Sequence, residues 1–209
     1  MFNLSINSLE GLEDLELLGE IEIECSDLED VSVLGSLQAL IDLRIEGGRE
    51  VVGLGSLASA PQLKRLKLGD IPEFILGNDS KRRLGRCELD RLCTVWKDVK
   101  GRSRRISSLF AEGADLGVVL IGLSVFEALA DQISPEDFSR RLEQITSRWG
   151  EPLLSRAFWP HKTPSSTLYP STAPIGQWLN KASTCVDRNI ISEIANSLRE
   201  YIPPSPQRA

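Results

Sequence analysis

Apolar residues recur along the first third of the chain in a spacing that neither one helix nor one strand produces. The stretches LGEIEIE from Leu18, LIDLRIE from Leu40 and LKRLKLG from Leu63 each carry apolar side chains at their first, fourth and sixth positions. These are Leu18, Ile21 and Ile23, then Leu40, Leu43 and Ile45, then Leu63, Leu66 and Leu68, at steps of 22 and 23 residues. Ahead of them run L-x-x-L steps through Leu9, Leu12 and Leu15, through Leu34 and Leu37, and through Leu54 and Leu57. An apolar–x–apolar step sends side chains to alternate faces and predicts a short strand, whereas the L-x-x-L spacing predicts a turn of helix or 3₁₀ helix. One such unit cannot cover its own leucines. Neighbours stacked at the strand spacing of about 4.8 Å make a continuous core. The phrase LGSL, beginning at Leu34 and again at Leu54, reads as one structural unit written twice.

After Gly77 the texture changes. A polar bridge, NDSKRR, leads to Leu89, Leu92, Cys93, Trp96 and Val99 at helical spacing with Lys and Arg opposite, which predicts an amphipathic basic helix. Ser134-Pro135-Glu136-Asp137 reads as an N-cap, a proline at the first helical position and acids in the first turn. Phe138, Leu142, Ile145 and Trp149 then share one stripe, and Gly150 is the stop. Another helix is predicted from Asp187, with Ile190, Ile191, Ile194 and Leu198 inward. Residues 160–174, PHKTPSSTLYPSTAP, carry four prolines and predict a long loop. Because the last unit of a stack would expose a row of leucines, the basic helix after Gly77 is the natural cap.

The pattern through residues 4 to 76, with Leu4-Ser5-Ile6 as a degenerate first strand, resembles the leucine-rich-repeat family, whose unit is L-x-x-L-x-L. The Asn or Cys that usually follows the strand in that family is missing, with Glu24, Gly47 and Asp70 near its place. The resemblance implies a short leucine-rich-repeat solenoid with a parallel sheet over residues 1–76; the helical patterns read from the residues after Gly77 add an all-helical C-terminal region over 77–209, for an α/β fold in all. Residues between the strand leucines would point outward in columns, Glu22, Arg44 and Lys67 in one and Glu20, Asp42 and Arg65 beside it, with Glu24 and Glu46 along the edge. In this family the concave sheet commonly binds another protein, so the resemblance implies a partner-binding face at these six columnar residues. The competing expectation is a solvated face whose opposite charges pair along the columns.

Charge sharpens the contrast between segments. Residues 1–50 hold 13 acidic and 2 basic side chains, residues 51–110 hold 6 and 13, and residues 111–209 hold 11 and 9. That asymmetry either steers a charged partner or is satisfied when the acidic and basic segments face each other. The basic segment 81–105, with Arg82, Arg83, Arg102, Arg104 and Arg105, raises nucleic acid as an alternative partner. Against it stand an overall acidic chain and few interleaved aromatics beyond Trp96.

Candidate chemistry is sparse. Cys25, Cys87, Cys93 and Cys185 form no CxxC pair and His161 is the sole histidine, so no metal site or disulfide framework is expected, nor any cofactor. Gly122-Leu123-Ser124 after an apolar run resembles a hydrolase nucleophile elbow, G-x-S-x-G, but Phe126 stands where the second glycine belongs. Ser124 reads instead as a buried helical serine bonding its own backbone. His161 reads as a surface residue. The opening MFNLSINSLEGLEDLELL lacks the pattern of a signal peptide, and the run from Leu116 to Phe126 is too short to span a bilayer, so a cytoplasmic location is expected. The overall expectation is a non-enzymatic protein-binding module.

Overall fold

The computed structural model describes residues 8–24, 27–47, 51–71, 106–129, 133–150, 179 and 187–201. Three 3₁₀ turns alternate with three strands. Leu12–Asp14 leads to β1 (Glu20–Glu24), Ser32–Ser36 to β2 (Asp42–Glu46), and Leu54–Ser59 to β3 (Arg65–Ile71). They are followed by β4 (Ile106–Glu112) and the helices α1 (Ala114–Leu129), α2 (Pro135–Trp149) and α3 (Arg188–Tyr201). The strands form one open sheet in the order β1-β2-β3-β4, parallel throughout except that β4 runs antiparallel to β3.

The leucine spacing sets the register. Ile21, Leu43, Leu66 and Ala111 pair across the sheet, as do Ile23, Ile45 and Leu68, and all seven are buried. Backbone links join neighbouring strands at one end of the sheet. The Gly19 carbonyl accepts from the Ile41 N–H (2.7 Å), the Ile41 carbonyl from the Lys64 N–H (2.9 Å), and the Lys64 carbonyl from the Gly113 N–H (3.0 Å). On the returning side, Asp30 and Val52 form a parallel bridge. Leu34, Leu37, Leu57 and Ala60 of the turns fill the space behind the strands.

The two LGSL phrases both lie in 3₁₀ turns, but they do not superpose. They are 20 residues apart, whereas β2 and β3 pair at an offset of 23. The strands win, because slipping them would break the backbone ladder and turn leucines out of the core. The turns therefore slide: Gly35 lies against the backbone of Ser56, with no room for a Cβ. Gly55, its counterpart in sequence, lies against Glu127 of α1.

The second part of the chain is not all helical. β4 pairs along β3 and saturates hydrogen-bonding groups that an edge strand would leave bare. The basic helix expected around residues 89–99 lies outside the described residues, as does Leu4-Ser5-Ile6. Among the described residues, α1 and α2 pack against the third 3₁₀ turn. Helix α1 is apolar on nearly every side and is correspondingly buried, from Val119 to Leu129. Its one charged residue in that stretch, Glu127, accepts a hydrogen bond from the Gly55 N–H (2.6 Å) and pairs with Arg141 of α2. Arg148 donates to the carbonyls of Ala60 (2.7 Å) and Leu63 while stacking over Trp149.

Helices α2 and α3 follow their caps. The Ser134 Oγ accepts from the Asp137 N–H (3.1 Å), Pro135 sits at the start, and Gly150, at φ 78°, donates back to the Thr146 carbonyl. Asp187 accepts from the Asn189 N–H (2.8 Å) ahead of α3, whose Ile194 and Leu198 are buried against α2 and the rest of the core.

Two stability measurements check this packing. Gly35→Ala forces a methyl group into the Ser56 backbone and is expected to cost about 1–3 kcal/mol, read as a lower denaturant midpoint at unchanged slope. Arg141→Met strands the buried Glu127 carboxylate and is expected to cost about 3–5 kcal/mol, with partial recovery when Glu127→Gln is added. A double variant no more stable than Arg141→Met alone would show that the buried charge is not the cause.

Candidate functional site

The solvent-facing side of β1, β2 and β3 carries all six residues of the expected binding face. Alternation along EIEIE, DLRIE and RLKL sends the isoleucines and leucines inward and the charged residues outward. Parallel register then aligns Glu20, Asp42 and Arg65 in one row and Glu22, Arg44 and Lys67 in the next. Glu24 and Glu46 extend a third row that ends at Gly69. The glutamates of β1 and Arg65 are exposed, whereas Asp42, Arg44, Glu46 and Lys67 are half-buried.

Several direct neighbours carry like charges: Glu20 faces Asp42, Glu24 faces Glu46, and Arg44 faces Lys67. Ion pairs directly across the strands, along β2 and on one diagonal relieve this. The Arg44 guanidinium forks between Glu22 (2.6 Å) and Glu46 (2.7 Å), and Lys67 reaches the same Glu46 oxygen at 3.0 Å. One connected chain of charges, Glu22–Arg44–Glu46–Lys67, thus crosses three strands. Arg65 pairs separately with Asp42 at 2.7 Å. The face is charged, and its three cations pair with carboxylates along it, as the competing expectation of a solvated, charge-paired face has it.

The pairing marks two groups electrostatically. Hydrogen bonds from Arg44 and then Lys67 hold the Glu46 carboxyl below its ordinary range. The Arg44 guanidinium is pushed above its own, chiefly by its hydrogen bond to Glu46 and further by the charges of Glu22, Glu46 and Glu24. In the three aligned rows, five carboxylates stand against three cations. Among the described residues, Glu20 and Glu24 have no ion-pair partner.

The other candidates separate from this face. Ser124 is buried in the middle of α1, not at a strand-to-helix turn, so the elbow geometry is missing. Its Oγ has no hydrogen-bond partner, and the expected bond to its own backbone is not formed. Arg82, Arg83, Arg102, Arg104, Arg105, His161, the four cysteines and the loop 160–174 lie outside the described residues. Among the described residues, no group of three or more His, Cys, Asp or Glu is arranged to hold a metal ion, and no helix is long and apolar enough to cross a membrane. Sequence reasoning missed the contacts of Glu127, Arg141 and Arg148 with the third turn. The available signal was a lone glutamate inside the apolar run GVVLIGLSVFEAL, which needs a partner when buried.

The Glu46 shift fixes a pH signature. A carboxylate depressed in the folded state adds stability above its unfolded pKa, and that contribution is lost as pH falls through the folded value. The stability gap between the wild type and Glu46→Gln is therefore expected to be open at neutral pH and to close below the ordinary carboxylate range. Denaturant midpoints taken from pH 7 downward check this, and a gap that widens on acidification would contradict it.

No family model, curated protein or solved structure matches the chain, so a functional reading rests on its own residues.

Proposed function

We propose that the chain is a leucine-rich-repeat-like module, a short solenoid closed at one end by its C-terminal helices, that binds another protein through the exposed face of its sheet. It acts without catalysis, as an adaptor, inhibitor or regulatory subunit. The observation that supports this is the register itself. Charged residues from three consecutive strands stand in aligned rows on an exposed face, backed by one apolar core. Such a face is rigid before the partner arrives, so little ordering cost is added on binding.

The recognition would be electrostatic as well as steric. The face grades from the glutamates of β1 to Arg65 and Lys67 of β3, and a partner with the opposite gradient is oriented by it. Cations already bound to carboxylates exchange partners more readily than they would leave a deep pocket, because they remain partly solvated.

Affinity capture with the full chain as bait tests this reading. A discrete protein retained through high salt and nuclease treatment is expected, and Arg44→Glu/Lys67→Glu is expected to lose it while its circular dichroism is unchanged. Undiminished capture by that variant would move the site off the sheet face. Recovery of nucleic acid alone, released by high salt, would favour the basic segment 81–105.

A further inference from the structure

The two ends of the row of turn–strand units are finished differently. At the β3 end, β4 pairs with the strand and α1 and α2 cover the turn. At the β1 end, among the described residues, nothing pairs with the outer edge of the strand. The side chains record the same asymmetry. Leu15 is 47% exposed, whereas Leu37 and Ala60, which follow it at the strand offsets, are 2% and 0% exposed. Leu12 and Leu18 are half-buried where Leu34 with Leu57, and Leu40 with Leu63, are fully buried. Leu17 beside them is 93% exposed.

We infer that the outer edge of β1, unpaired among the described residues, takes up, as an additional strand, an extended segment of another protein in which basic and apolar residues alternate. Unpaired N–H and C=O groups along an edge supply the affinity in such strand addition, and alternate side chains supply the specificity. Here the outward residues are Glu20, Glu22 and Glu24, and among the described residues only Glu22 has a cation partner. The molecule contains its own precedent for the match. On β2, Asp42 and Glu46 meet the RLKL of β3, and Arg65 and Lys67 bind those two carboxylates while Leu66 and Leu68 continue the core.

Charge also decides between occupants. A second copy joined edge to edge would set the β1 glutamates against their counterparts, which is unfavourable. Residues 1–7, MFNLSIN, carry no basic side chain to offer these glutamates. A partner strand with Lys or Arg at every second position satisfies both the charges and the backbone. This site is the edge of the sheet and does not depend on the reading of its face.

A fluorescent peptide copying residues 63–69, Leu-Lys-Arg-Leu-Lys-Leu-Gly, titrated into the full chain tests the inference by anisotropy. Saturable binding is expected, weakened about tenfold or more by Glu20→Lys/Glu24→Lys, two exposed positions at which the fold tolerates change. A peptide with Glu at its three basic positions is expected to bind that reversed variant in preference to the wild type. N-methylation at alternate peptide residues is expected to abolish binding, which simple charge attraction would survive. The Arg44→Glu/Lys67→Glu variant is expected to keep the peptide, so failure of the face and failure of the edge read out separately. No binding, binding indifferent to the Glu20/Glu24 reversal, or binding indifferent to N-methylation would each overturn the inference.

Discussion

Leucines of one turn–strand unit can be covered only by the units on either side of it. That constraint explains the parallel pairing of β1, β2 and β3, because only strands in fixed register bring Ile21, Leu43 and Leu66 into one row and Ile23, Ile45 and Leu68 into the next. Exposure falls along the row in the same way. Leu43 and Leu66 are fully buried, while Ile21, with a strand neighbour on one side among the described residues, retains 9%. The backbone adds its own requirement, since each strand satisfies one edge of the next. The turns have more freedom, which is why the repeated LGSL phrase can lie out of step while the strands do not.

Closing the far end required a polar device inside an apolar contact. Gly55 permits close approach, and its N–H points at helix α1, where an aliphatic residue would leave that donor without a partner. Glu127 accepts from it, and Arg141 then neutralises the carboxylate that burial would otherwise penalise. Arg148 does related work about two turns further along α2 by satisfying the Ala60 and Leu63 carbonyls just past the same 3₁₀ turn. Burial lowers the pKa of its guanidinium, and the ring of Trp149 lies beneath it. The helices are therefore held to the third turn by hydrogen bonds of defined direction in addition to apolar contact.

Much of this was written locally in the chain. The three strands, their offsets of 22 and 23 and the outward rows follow from a period of two inside a longer repeat, and the caps of α2 follow from Ser134, Pro135 and Gly150. What was not legible depended on distant partners. β4 is a short run, ISSLFAE, next to a basic stretch that drew attention to charge, and it becomes a strand beside the waiting edge of β3. Gly35 and Gly55 look equivalent in sequence, yet one faces a turn and the other a helix, because the offset of the strands differs from that of the phrase. The rows of the candidate site were readable for the reason the strands were. The sharing of Glu46 between Arg44 and Lys67 was not, since diagonal pairing depends on the side-chain rotamers adopted in three dimensions.

The charges themselves do not select the register. Glu20 against Asp42, Glu24 against Glu46 and Arg44 against Lys67 are direct neighbours of like sign, an arrangement that cross-strand pairing alone would disfavour. The apolar rows impose the alignment, and the ion pairs then make it tolerable. A face chosen only for stability would put opposite signs directly opposite each other throughout, as Glu22 with Arg44 and Asp42 with Arg65 do. The fold therefore leaves the composition of this face largely unconstrained. The surplus of carboxylate on β1 is not answered by any cation on the described strands beyond Arg44, so its natural complement is a basic surface supplied from outside them.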